Sequence, residues 1–268
     1  MPYLTSAPEI FRKTRDLAQG HLDDYGDEDM LECMTAEVGG GEERTDIDLE
    51  DMTSSDLERF FGVTEGSEPF PETGDEAPLT NFLVGHQARF QSAMNRALES
   101  EAKIHITLGF LLLDTFYRVL GFLERENRTL PRTKKLNLNA GTRLQGAVPG
   151  PSGEGHHITG DVDYSVFAGF DLHFDLASNL VCVVVKPQGF SSTREPQIIS
   201  SMALVQKRRM KTGVQSPTVY GILSNSSQFY FFHTDAQQRY SVLWYSSILS
   251  SCISRTFLLS LLHDAPPI

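Results

Sequence analysis

The run Leu180-Val-Cys-Val-Val-Val185, closed by Lys186, constrains this chain more than any other segment. A continuous apolar and mostly β-branched stretch leaves no polar face for water, so a strand here must be covered on both sides. It predicts a central strand of a layered α/β domain. Successive side chains alternate across a strand, so positions 184 and 186 point the same way. Val184 and Lys186 therefore share one face at the end of that strand.

The flanking patterns fit such a domain. A helix is predicted from about Glu195 to Thr212, with Ile198, Ile199, Met202, Ala203 and Val205 as its apolar positions. Strands are predicted over Thr218 to Leu223, Gln228 to His233 and Tyr240 to Trp244, with Asn225-Ser-Ser as a turn. Upstream, Asp161 to Phe167 reads as a short strand, and Asn81 to Glu126 as two helices. Ser100 caps the second of these, which begins at Glu101. Asn127 to Gly155 reads as a long connection with one strand near Leu136, and His156-His157 as part of a flexible loop. Ile248 to Leu262 reads as a closing apolar helix. The predicted class is α/β, a mixed central sheet flanked by helices.

Charge divides the chain. Residues 1–78 hold 22 Asp and Glu against 5 Lys and Arg, whereas residues 79–268 hold 13 against 18. The first part is an acidic arm, expected to be largely disordered, because sparse apolar residues and dense like charge do not offset the entropy of ordering. Two amphipathic pieces within it, Pro8 to Leu17 and Ser54 to Phe61, are expected to dock on the domain or on a partner. The second part is a mildly basic domain, and phosphate binding responds to such local potential rather than to the net charge of −12. The cysteines Cys33, Cys182 and Cys252 are widely spaced and show no metal or disulfide pattern. Ile104 to Leu113 is too short for a membrane span, and no secretory leader opens the sequence. These features predict an intracellular protein, nuclear or cytoplasmic.

The order of three features resembles the PD-(D/E)XK nuclease superfamily. They are Gly160-Asp-Val-Asp-Tyr on one strand, Leu180 to Lys186 on the next, and Gln197 on the following helix. The sequel Val219-Tyr-Gly-Ile-Leu-Ser-Asn-Ser-Ser-Gln-Phe-Tyr-Phe-Phe is similar to the paired strands of the intracellular fungal members, whose usual turn is Ser-Asp-Gly. The resemblance implies a restriction-endonuclease-like fold over residues 79–268 and nuclease chemistry dependent on Mg2+ or Mn2+. By the same resemblance Asp163, with Asp161 as second choice, matches the metal-binding aspartate. Lys186 matches the motif lysine and Gln197 the polar helix residue, while Glu101, or Glu99, matches the acid of the preceding helix. Nucleic acid, DNA before RNA, is the implied partner.

Val184 departs from this pattern, for it stands where the family carries Asp or Glu. An isopropyl group cannot bind a hard cation, which takes oxygen ligands. The expectation is thus a degenerate or impaired site, unless Glu195 or Glu101 supplies a carboxylate from elsewhere. The alternative is a non-catalytic interaction protein that uses the scaffold to bind nucleic acid or a protein, with the acidic arm engaging a basic partner. Lys207, Arg208, Arg209 and Lys211 form a basic cluster with two readings, a phosphate contact or nuclear-targeting patch, and a solvated helix end. Arg132, Lys134 and Lys135 form a second such patch.

Overall fold

A computed structural model of the chain describes residues 45–66, 101–125, 136–150, 155–168, 179–186, 195–214 and 217–245, with Phe70 and a few isolated positions. The expectations for residues 1–44, most of 81–99, Arg132, Lys134, Lys135 and most of 248–262 lie outside these. The described residues fall in one unit, Arg44–Ile268.

An eight-stranded mixed sheet carries the unit. Its strands are β1 (Thr45–Asp48), β2 (Thr64–Glu65), β3 (Leu136–Pro149), β4 (Gly155–Ala168), β5 (Asn179–Val185), β6 (Val219–Ser224), β7 (Phe229–Thr234) and β8 (Arg239–Tyr245). The path runs β1-β4-β5-β6-β7-β8-β2, with β3 paired to β4. β1 on β4, β5 on β6 and β2 on β8 are parallel; the remaining pairings are antiparallel. Two helices are described in full, α1 (Glu101–Arg125) and α2 (Glu195–Lys211).

β5 is the central strand its composition demands. Val181, Val183 and Val185 enter the core shared with α1, where Leu108, Leu112, Phe116 and Val119 lie. Cys182 and Val184 enter the opposite core with Ile198, Ile199 and Met202 of α2. Burial pushes the Cys182 thiol up to about 12, so it serves as an inert small hydrophobe. α1 spans Glu101 to Arg125, as its start at Glu101 and its apolar spacing predict. At 25 residues it is long and apolar enough to cross a bilayer, but Ile104, Leu108, Leu111, Leu112, Phe116, Val119 and Leu123 pack on the sheet.

Three differences from the sequence reading have physical causes. The stretch 136–149 is a full strand rather than a connection, pairing with β4 from Leu136↔Ala168 to Pro149↔Gly155. Leu136 and Leu138 join the α1 core, whereas Leu144 and Val148 join the α2 core. The ribbon therefore passes its even-numbered face from one layer to the other, and Gly141 takes φ +69° at the crossing, a left-handed conformation suited to glycine. Second, His156 and His157 belong to β4 rather than to a loop: His156 lies edge-on to Phe60, and His157 Nδ1 is 3.5 Å from Asp46 Oδ1.

Third, the acidic arm ends well before residue 78. Residues 45–65 add β1 and β2 to the two ends of the sheet path. Between them Thr53 opens a helical turn, its N–H and hydroxyl both donating to Asp56 Oδ2. Leu57, Phe60 and Phe61, the apolar positions expected to dock, are buried in the α2 core with Leu49, Met52 and Val63.

The β-turns are stapled by side chains. Asn225 Oδ1 accepts from the N–H groups of Ser227 and Gln228, and Ser226 takes φ +71°, a left-handed conformation that favours glycine. In the β7–β8 turn, burial raises the Asp235 carboxyl, but the N–H groups of Arg239 and Gln237 and the Arg239 guanidinium, 2.6 Å away, outweigh it and hold the pKa below the usual 3.8. A depressed carboxylate stabilises the fold above its unfolded value and loses that contribution as pH falls through its folded one. Asp235→Asn is expected to cost about 1–2 kcal/mol at pH 7. In urea titrations against pH, that deficit shrinks below about pH 4.

Candidate active site

The site lies where β4 changes partners. β1 pairs with β4 only as far as Thr159, and β5 begins at Tyr164. Along that edge, residues 160–163 have no strand partner among the described residues. The turn Leu49–Asp51 packs here instead, its N–H at Glu50 capped by Asp48 Oδ1 at 2.9 Å. Leu49 is fully buried and sits over Gly160, where an added Cβ would meet Leu49 Cβ at 2.5 Å. The glycine that opens Gly-Asp-Val-Asp is thus the seat of this turn.

Asp163 sits just past the last paired residue, Tyr164↔Val183. Its Oδ2 accepts the Val185 N–H at 2.6 Å, which ties it to the end of β5. Burial raises its pKa above the usual carboxylate value, opposed by that hydrogen bond and by the nearby charges of His105 and Lys186. Asp161, the second choice, is exposed and lies 3.9 Å from Arg143.

Lys186 and Gln197 meet on one carboxylate. Lys186 Nζ lies 3.3 Å from Glu50 Oε1, and Gln197 Nε2 donates to the same oxygen at 3.4 Å. Gln197 is 5% exposed, so its amide is held in place by the α2 core. Lys186 also bears electrostatically on Asp163. The strand, the helix and the N-terminal turn therefore bring Lys186, Gln197 and Glu50 together, with Lys186 also acting on Asp163, and Glu50 is the member that sequence reasoning missed. No local motif marks it, because its place depends on β1 pairing with a strand more than a hundred residues away.

Glu101 arrives on the other side of Asp163, through a histidine. His105 Nε2 lies 3.7 Å from Glu101 Oε1 and 3.6 Å from Asp163 Oδ1. Tyr164 fixes this corner by donating its hydroxyl to the His105 carbonyl at 2.8 Å. His105 was also unread in the sequence; its signal was its i+4 spacing from Glu101 on a helix. Glu195, by contrast, faces Glu65 and Tyr240. Burial first, and then Glu65, raises its pKa.

Val184 itself is 1% exposed, enclosed by the α2 core. Among the described residues, no group of three or more His, Cys, Asp or Glu side chains is arranged to hold a metal ion. Of the basic cluster, Arg209 is 1% exposed and is a core residue, not a phosphate contact. It follows Met202 and Val205 at helical spacing, which turns it inward. Lys207 and Arg208 are partly exposed and Lys211 is exposed; burial lowers the Lys207 pKa. No protein-family model matches the sequence, and no curated protein matches it either.

Proposed function

We propose that this unit is a nuclease-like domain of the PD-(D/E)XK type, with a restriction-endonuclease-like sheet, that acts on nucleic acid, DNA in the first instance. The observation that carries the reading is the convergence of Lys186 and Gln197, from the end of β5 and from α2, on the Glu50 carboxylate, with Lys186 also acting on Asp163. Nothing in a sheet's packing requires a lysine and a buried glutamine to meet on one carboxylate at a strand end.

Oxygen ligands are the donor class for Mg2+ or Mn2+, and magnesium is often held by one or two carboxylates completed by water and phosphate. Asp163 fits that role. A bound divalent ion would supply an activated water and offset charge on the phosphate. Lys186 places a positive charge next to the scissile phosphate. Gln197 orients the neighbouring carboxylate, and Glu101 positions His105 against Asp163 Oδ1. Hydrolysis adds water across one P–O bond, leaving a phosphomonoester and a free hydroxyl. Lys207, Arg208 and Lys211 would hold the phosphate backbone.

A second reading has one observation in its favour: the described residues hold no three-donor metal group. It is a scaffold that binds nucleic acid or a protein without cleaving, its acidic arm engaging a basic partner. Incubating the full chain with duplex DNA and Mg2+ or Mn2+ separates the two. Cleavage that chelation stops and Asp163→Ala abolishes is the expected result. Metal-independent binding without cleavage, weakened by Lys207→Glu with Arg208→Glu, selects the second reading. A chain that neither binds nor cleaves overturns both.

A further inference from the structure

The Glu50 carboxylate is received by two donors that come from different elements of the sheet and helix layers. We propose that Lys186 and Gln197 form a phosphate-binding subsite and that Glu50 is its built-in competitor, a latch that a nucleic-acid phosphate must displace. This rests on the nuclease-like reading above and adds to it how the site is held closed.

Three observations support the latch. Lys186 Nζ and Gln197 Nε2 both address one oxygen, Glu50 Oε1, at 3.3 and 3.4 Å. An ammonium and an amide NH2 aimed at one point suit any oxyanion, so a phosphate oxygen can take the same two contacts as a carboxylate oxygen. Second, the donors are held while the acceptor is loose. Gln197 is 5% exposed and the Lys186 side chain 21%, whereas the Glu50 side chain is 65% exposed. Third, the backbone beneath Glu50 is fixed. β1 is registered on β4 up to Asp48↔Thr159, the Glu50 N–H donates to Asp48, and Leu49 is buried over Gly160. Opening the subsite therefore needs only the Glu50 side chain to rotate into solvent, while the turn stays in place.

A latch differs from a general negative field. Asp51 is exposed on the same turn and repels a polyanion as Glu50 does. It makes no hydrogen bond or ion pair with Lys186 or Gln197 among the described residues, so it does not compete for their donors. The two acids differ in contact, not in charge.

Duplex DNA binding to the full chain in the presence of a chelator, read by fluorescence anisotropy, tests the latch without cleavage. Glu50→Ala should tighten binding about three- to fivefold, the scale of one partly exposed ion pair. Glu50→Gln, which keeps the side chain's shape and loses its charge, should shift affinity in the same direction. Asp51→Asn removes one charge from the same turn and should change affinity by less than about 1.5-fold, because solvent and salt screen it. In a Lys186→Ala background, Glu50→Ala should gain no more than Asp51→Asn does, since the donor it competes for is gone. No gain in Glu50→Ala, a gain that Asp51→Asn matches, or one that survives Lys186→Ala overturns the latch; wild-type DNA binding then leaves the nuclease-like reading standing. Wild type and variants that all fail to bind DNA overturn both.

Discussion

On the proposed nuclease-like reading, Lys186→Ala is expected to lower metal-dependent DNA cleavage by at least about 100-fold, the usual scale for removing one preorganised charge from a reacting centre. The side chain is only 21% exposed and reaches Glu50 while acting on Asp163. Its removal takes from both Glu50 and Asp163 the cation that acts on them. Ground-state DNA affinity, set mainly by surface contacts with phosphate, is expected to change far less. Lys186→Arg should not restore the rate, because a planar fork replaces a point charge at this position. Single-turnover cleavage beside a binding isotherm makes the distinction. If both fall in parallel, Lys186 is a general electrostatic contact; unchanged cleavage would leave it a structural strand-end residue.

The largest effect on stability is expected from restoring the motif acid. Val184→Glu places a carboxyl in a site 1% exposed among Ile198, Ile199 and Met202. A buried, unpaired carboxylate costs about 3–5 kcal/mol, and the added volume strains a packed core further. At roughly 2–4 °C per kcal/mol for a domain of this size, thermal denaturation should shift down by about 10 °C. Burial raises the introduced carboxyl's pKa, so the folded state holds its proton longer than the unfolded one. The deficit should therefore be smallest below the ordinary Glu value, about pH 4, and grow as pH rises above it. Such a variant would gain no activity. Val184→Glu with full stability at pH 7 and increased cleavage would show that this position opens onto the site after all.

The parts of the fold that the sequence announced are those whose contacts are local or whose burial is uniform. β5 declared itself through unbroken β-branched residues, and α2 and the strands after it through clear periodicity and the Asn225 turn. β3 hid because it changes layers midway: Leu136 and Leu138 serve one core, Leu144 and Val148 the other, with a glycine and polar residues at the switch. A segment with two half-length faces lacks the steady alternation that marks a strand. Asp163, Lys186 and Gln197 were legible because motif spacing reflects strand and helix geometry. Glu50 was not, since the four residues Thr45 to Asp48, two of them acidic, look like any part of an acidic arm until a distant strand supplies the partner. Arg209 was misread because a run of basic residues at a helix end usually faces water, and only its position relative to Val205 turns it inward.

The placement of residues 45–65 sets the order in which the domain can be completed. The segment contacts both ends of the strand path, through β1 on β4 and β2 on β8, and these partners lie 111 to 177 residues further along the chain. Such contacts carry the largest loop-closure cost and form after the hairpins and α2 have packed. The backbone amides of β1 and β2 should thus exchange with solvent as one cooperative group, opening more readily than β5 and β6 and closing last. Because Glu50 rides on the last piece to dock, its contacts with Lys186 and Gln197 form only once the whole sheet is in place.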